Sequence, residues 1–354
     1  MNMSGNKLKT AVLGLKDRGP LLLEAASKVD YFQIQAVADK DAKLAERLAE
    51  EYNCTAYEDY RQFIIQNQFD CLLVAAGMYS CDEYVRMAIK KKFNIFKLPP
   101  LARNFEEASQ FVRLAEGENV KFAIANPSRF AQSFLALRQF LHNDSIEQVF
   151  LVTAFCTVAD DPSARWRTDP KLAGGGVLLR DCYEIIDLIV SNFTTPQQLY
   201  ALNTNTASDR QQRLYLTEDI ALVTMKFADT SFGNLITGKL LGPKQRVLKI
   251  YGKNEILTVN DSRFVVSDGL GHTSEEFEYD DDKLACMTKA LTNFALSIIS
   301  PDENKLCSGA KENLKNMAVI ESAYLSARTG MPEEPARILQ MAQTEPINIW
   351  PAHK

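Results

Sequence analysis

An apolar run, Lys9 to Leu13, leads directly into Gly14-Leu15-Lys16-Asp17-Arg18-Gly19 and then into a helix-like segment. Two glycines between a strand and a helix suit phosphate binding. The first permits a tight turn, the second permits close helix–strand packing, and the helix N-terminus turns N–H groups toward an anion. Lys16 holds the place of the usual middle glycine. Its side chain crowds a pyrophosphate there, although its ammonium can also fold back and pair with it. The second strand ends at Ala38-Asp39-Lys40, and Asp39, 25 residues after Gly14, is placed to accept hydrogen bonds from a dinucleotide ribose. Asp39 therefore favours NAD, while Lys40 leaves room for the 2′-phosphate of NADP. Plainer readings stand beside these: two-glycine turns also occur in connections that bind nothing, and Asp39 and Asp41 are good caps for the helix that follows.

The elements that would position these residues alternate in type. Candidate strands are Lys9 to Leu13, Ile34 to Ala38, Cys54 to Tyr57, Cys71 to Ala75, Asn94 to Lys97 and Lys121 to Ala125, with helices near Gly19 to Lys28, Asp41 to Tyr52, Asp82 to Lys91 and Phe105 to Glu116. This pattern predicts an α/β domain over residues 1–125, a Rossmann-like doubly wound parallel sheet. Beyond it, helix signals at Phe134 to His142 and Val177 to Asn192 and a strand from Gln148 to Cys156 precede successive strands between Gln198 and Tyr279. These predict a C-terminal α+β domain over 126–330 with a large, mostly antiparallel open sheet. It closes with helices at Lys283 to Ile299 and Ala310 to Arg328, the last of which can pack back on the first domain. Residues 331–354 read as a tail.

With 354 residues, of which 46% are hydrophobic, the chain can bury two cores. A net charge of -5 without a sustained basic cluster argues against nucleic acid or a membrane surface as a partner. No apolar run approaches the ~20 residues of a bilayer span, and the polar start, Met1 to Thr10, lacks the apolar core of a secretory signal. A cytoplasmic location is expected. The seven cysteines, odd in number, widely spaced and without a CxxC pair, read as free thiols, and with His142, His272 and His353 far apart no metal site is expected. Cys81 and Cys182 read as packed thiols rather than nucleophiles.

Taken together, Ala11 to Gly19, Ala36-Val37-Ala38-Asp39, Tyr57-Glu58-Asp59-Tyr60, Pro100-Leu101-Ala102, Asn126 with Arg129-Phe130, Trp166-Arg167, Gly174-Gly175-Gly176-Val177-Leu178-Leu179, Ile186-Asp187-Leu188, Tyr251-Gly252 and Ser326-Ala327-Arg328-Thr329-Gly330 follow one another in an order that spans nearly the whole chain. In this the sequence resembles the Gfo/Idh/MocA family, the glucose-fructose oxidoreductase and inositol dehydrogenase group. The resemblance implies an N-terminal NAD(P)-binding domain, a small-molecule substrate such as a sugar, polyol or related compound, and a homodimer or homotetramer formed through the C-terminal sheet. It also implies that Gly14, Lys16, Asp17, Arg18, Gly19, Asp39, Lys40, Ala75, Ala76, Gly77 and Pro99 face the cofactor. Asn126, Arg129, Trp166, Arg167, Tyr183 and Asp187 are expected near the substrate.

The expected catalytic positions depart from the family pattern. Pro99 stands where the family has a lysine that contacts nicotinamide and substrate, and Lys97, two residues earlier on the same side of a strand, is the candidate substitute. Arg180 and Glu184 stand where the family has an Asp and, four residues later, a His. On one helical face they can form an ion pair, or Arg180 can orient an acidic substrate while Glu184 handles the proton. Three functions are compatible with this: an oxidoreductase with a substituted site acting on a sugar, polyol or oxidised-sugar-like molecule, an inactive member that binds nucleotide or a partner, and an NAD-dependent glycoside-cleaving relative.

Overall fold

The computed structural model describes residues 7–143, 146–159, 165–206, 216–228, 231–239, 241–280 and 282–342. β1 (Leu8–Leu13), β2 (Phe32–Ala38), β3 (Thr55–Tyr57), β4 (Cys71–Val74), β5 (Asn94–Lys97) and β6 (Phe122–Ile124) form one parallel sheet in the order β3-β2-β1-β4-β5-β6. β4 is buried at every residue, as a parallel strand covered on both faces must be. The covering helices are α1 (Gly19–Ser27), α2 (Ala42–Glu51), α3 (Tyr60–Gln66), α4 (Met78–Lys90) and α5 (Phe105–Gly117). α2 buries Ala45, Leu48 and Ala49, and Asp41 caps it by accepting the Leu44 N–H. α3 was not expected from the sequence. Only seven residues long, it is too short to show a helical period, and it starts because the Asp59 carboxylate accepts the N–H groups of Arg61 and Gln62.

The second sheet comprises β7 (Leu151–Val158), β8 (Gln198–Thr204), β9 (Ile220–Lys226), β10 (Phe232–Lys239), β11 (Gln245–Tyr251), β12 (Glu255–Asn260), β13 (Arg263–Asp268) and β14 (Thr273–Glu278). Its order is β14-β13-β12-β11-β7-β10-β9-β8, and only β7 and β10 run parallel. Its helices are α6 (Gln132–His142), α7 (Pro170–Ala173), α8 (Tyr183–Phe193), α9 (Lys283–Ile299), α10 (Ala310–Thr329) and α11 (Pro335–Met341). α9 packs on α1, and α10 lies against α5, β6, α8 and β8, so the closing helices join the two sheets. α11 places a helix in the stretch read as a tail. No helix among the described residues is long and apolar enough to cross a membrane.

Strand alternation gives the second sheet two unlike faces. Ala201, Val223, Leu235, Ala154 and Leu248 are buried on the inner one. On the outer face, the register aligns Leu202, Leu222, Ile236, Phe155 and Val247 across five neighbouring strands. Leu202 and Leu222 are about half exposed, at 54% and 41%.

The expected helix from Val177 is broken. Val177–Asp181 forms a π-helical turn, and α8 starts only at Tyr183. The cause lies in Glu218, whose carboxylate accepts the N–H groups of Gly176 and Leu178 at 2.7 and 2.9 Å, while its carbonyl accepts that of Val177. A Cβ on Gly176 would sit 1.9 Å from the same carbonyl oxygen, so the glycine run is what lets the turn lie against Glu218. Burial raises the pKa of Glu218 despite these hydrogen bonds.

Candidate active site

The strand order of the first sheet reverses between β1 and β4, which opens a crevice at their carboxyl ends. Gly14 follows β1 with φ of 90°, and a Cβ there would lie 2.3 Å from the Ala76 nitrogen, so only glycine lets the β1 and β4 ends approach this closely. Asp39 holds the loop from the side: one oxygen accepts the Leu15 N–H at 2.7 Å and the other the Asp41 N–H at 2.9 Å. Asp41, not Asp39, caps α2. The Lys16 ammonium pairs with Asp41 at 3.3 Å and so is not folded back over the loop, while Lys40 Nζ lies 5.9 Å from the centre of the Tyr60 ring.

The crevice continues into a cleft of about 630 Å³ between the two sheets. Asp17, Arg18, Ala75 to Gly77 and Pro99 line one side; Trp166, Arg167, Arg180, Tyr183 and Glu184 line the other. Two contacts bridge its mouth: Arg167 donates to Asp17 at 3.0 Å, and the Trp166 ring packs on Tyr79 with centroids 4.9 Å apart. Deeper in, Glu184 accepts from Ser128 Oγ at 2.5 Å and from Arg246 Nη1 at 3.2 Å, and faces Arg18 Nη1 at 3.6 Å. Burial works against the Glu184 charge, but Arg246, Arg18 and the Ser128 hydroxyl outweigh it and hold the carboxyl below its ordinary range. Glu184 is thus a fixed carboxylate, able to accept a proton and carrying none to give near neutral pH.

The family model for the oxidoreductase NAD-binding Rossmann fold matches residues 8–126, and that for its C-terminal alpha/beta domain matches residues 138–334. The chain belongs to the Gfo/Idh/MocA oxidoreductase family. A D-xylose 1-dehydrogenase (NADP(+)) of Haloferax volcanii is 24% identical over 56% of this chain and 60% of its own length. A scyllo-inositol 2-dehydrogenase (NADP(+)) of Bacillus subtilis is 23% identical over 38% of this chain and 42% of its own. The chain therefore spans about half the length of these two relatives. Among solved structures, an Agrobacterium radiobacter oxidoreductase in complex with NAD+, L-tartaric acid and magnesium superposes with a TM-score of 0.80 at 16% identity, covering 94% of this chain and 99% of that one. The WlbA dehydrogenase of Bordetella pertussis, in complex with NADH and UDP-GlcNAcA, gives 0.79 at 14% identity over 93% and 98%.

Against the family pattern, several expected site residues sit elsewhere. Arg180 does not pair with Glu184; it donates to the Asp181 carboxylate at 2.6 and 3.2 Å and to the Arg167 carbonyl at 3.1 Å. The π-helical turn changes the spacing, so four residues no longer place the two on one face. For the same reason Asp181 lines the cleft. Lys97 reaches the cleft wall, but its ammonium donates to the carbonyls of Pro100 at 2.6 Å and Leu98 at 3.3 Å, and burial lowers its pKa.

Asn126, Arg129 and Asp187, expected near the substrate, are not in the cleft lining. They belong to a buried junction instead. Arg129 grips Asp187 with two hydrogen bonds of 2.6 and 2.7 Å, and Asn126 donates to Ser308 and Asn313. The Tyr183 hydroxyl donates to Asn313 at 2.9 Å although its residue also borders the cleft. Burial pushes the Cys81 and Cys182 thiols up, which keeps them protonated. Ser128 and Arg246 escaped the sequence reading. They lie 118 residues apart, so no local spacing joins them, although a lone arginine at the start of the half-buried strand β11 was a signal.

Proposed function

We propose that the chain is an NAD(P)-dependent oxidoreductase acting on a sugar, polyol or oxidised-sugar-like small molecule, with Glu184 as its proton-handling group. One observation carries this reading: Asp17 and Arg18 of the two-glycine loop and the Glu184 carboxylate line a single cleft of about 630 Å³. The residues fit a dinucleotide, because Gly14 and Gly19 let the loop turn tightly against the β4 end and on itself, where a Cβ would clash with backbone, and Asp39 fixes the loop at the end of β2. The loop from Gly14 through Lys16, Asp17 and Arg18 to Gly19 would take the pyrophosphate. Asp39, beside Lys40, would take the ribose, favouring NAD, and Ala75, Ala76, Gly77 and Pro99 would form the wall. When bound, the nicotinamide supplies the hydride acceptor or donor. Within the chain, Glu184 accepts the substrate hydroxyl proton, Ser128 and Arg246 orient it, and Arg18 presents N–H donors to the reacting oxygen. Dehydrogenation of a sugar and an inositol by the two relatives supports the substrate class.

Titration of the purified protein with NADH and NADPH, monitored by fluorescence, tests the reading. Micromolar binding, tighter for NADH, is expected. No binding, together with no nucleotide released by a denaturing extract, would remove it. The pairing of every cleft carboxylate with an arginine favours a second reading, a nucleotide-binding member without turnover. It would be supported if bound NADH were never oxidised by any of a panel of keto-sugars.

The outer face of the C-terminal sheet supports assembly into a homodimer or homotetramer. The row from Leu202 to Val247 presents apolar side chains that a second copy can cover. Ile236→Glu and Leu222→Glu are expected to shift the wild-type oligomer to monomer in sedimentation velocity without altering nucleotide affinity.

A further inference from the structure

Seven basic side chains line the cleft against four carboxylates, an excess of three positive charges in a chain whose net charge is -5. The carboxylates are taken up in turn: Asp17 by Arg167, Asp181 by Arg180, Asp261 by Arg246, and Glu184 by Arg246 and Arg18. Lys97 is bound to backbone carbonyls. Lys244 and Lys283 remain, both exposed, and neither has an ion-pair partner among the described residues. Lys283 opens α9, the helix packed on α1 behind the glycine loop. Lys244 lies on the other side of the cleft, two residues before Arg246, at the edge where β11 begins. A pyrophosphate at the loop carries two negative charges, which leaves one of the three excess positive charges unmatched. Cleft walls of low dielectric make such an imbalance felt by any entering ligand.

We infer that the substrate is an anion, a small sugar-like molecule bearing a carboxylate or phosphate that Lys244 pairs with. The inference rests on the oxidoreductase reading and narrows it. It also moves acid recognition away from Arg180, whose guanidinium is already neutralised by Asp181.

The test titrates NADH-loaded protein with D-gluconate, D-glucose 6-phosphate and neutral myo-inositol, following NADH fluorescence. At least one of the two anions is expected to bind ten-fold or more tighter than myo-inositol, and which one does so separates carboxylate from phosphate. Lys244→Ala is expected to remove most of that preference while the NADH affinity stays within two-fold of wild type. Equal binding of myo-inositol, no binding of either anion, or a preference untouched in Lys244→Ala overturns the inference and leaves the oxidoreductase reading standing. Failure of NADH itself to bind overturns that reading and the inference with it.

Discussion

Arg129→Met is expected to destabilise the fold by about 3–5 kcal/mol, the range for removing one partner of a buried ion pair. Arg129 is 10% exposed and Asp187 only 1%, so the carboxylate left behind has almost no water. Asn316 Nδ2, at 2.7 Å from Oδ1, is the only side-chain donor the described contacts leave it. In the wild type, burial disfavours the Arg129 charge, but the hydrogen bonds and charge of Asp187 outweigh that and raise its pKa. Arg129 also donates to the Cys307 carbonyl and to Glu312, tying the 3₁₀ turn Pro127–Phe130 to α8 and α10 at once. Loss of the pair therefore loosens the junction between the sheets. Urea unfolding of the single variant and of Arg129→Met with Asp187→Leu separates two causes. The double variant is expected to recover most of the loss, because two apolar groups leave no stranded charge. Equal destabilisation in both would instead assign the effect to packing.

The parallel sheet was legible because its strands are short apolar runs separated by amphipathic helices, and Asp41 caps α2 as its position before that helix predicts. β14 was not legible: all six of its residues are exposed, so no alternation marks it. The glycine loop was legible as a turn, whereas the direction of Lys16 was settled only by Asp41, which the same sequence had offered as a cap. At the centre of the site the failure has one physical source. Glu218, far along the chain, captures the backbone N–H groups at Gly176 and Leu178 and replaces an α-helical start by a π-helical turn. Every inference drawn from four-residue spacing across that turn then shifts, which is why Arg180 faces Asp181 and why Asp181 enters the cleft. Asn126, Arg129 and Asp187, expected near the substrate, face inward into the buried junction, where a sequence cannot tell a paired polar group from a ligand-binding one.

Glu184→Gln is expected to lower kcat by about 10²-fold, at the lower end of the range for a positioned general base. The lower end applies because Arg246 and Arg18 hold Glu184 below the ordinary carboxylate range, and a weakly basic acceptor gains less in the transition state. The same arginines keep it ready: at neutral pH essentially every molecule carries the ionised form. The rate of the wild type should therefore be level through neutrality and fall only at pH values below the ordinary carboxylate range, and Glu184→Gln should lose that acid limb along with its rate. Stability follows the same sign. A carboxylate with a depressed folded pKa contributes stability above its unfolded pKa, and that contribution disappears as pH falls through the folded one. In the variant, the Gln oxygen can still accept from Ser128, but its amide N–H then meets the donors of Arg246, which retains Asp261. Some loss of stability is thus expected, and nucleotide affinity within two-fold of wild type shows that the cleft persists. An unchanged kcat would make Glu184 a positioning partner for Arg18 and Arg246 alone, and the proton would then have to leave through water at the cleft mouth.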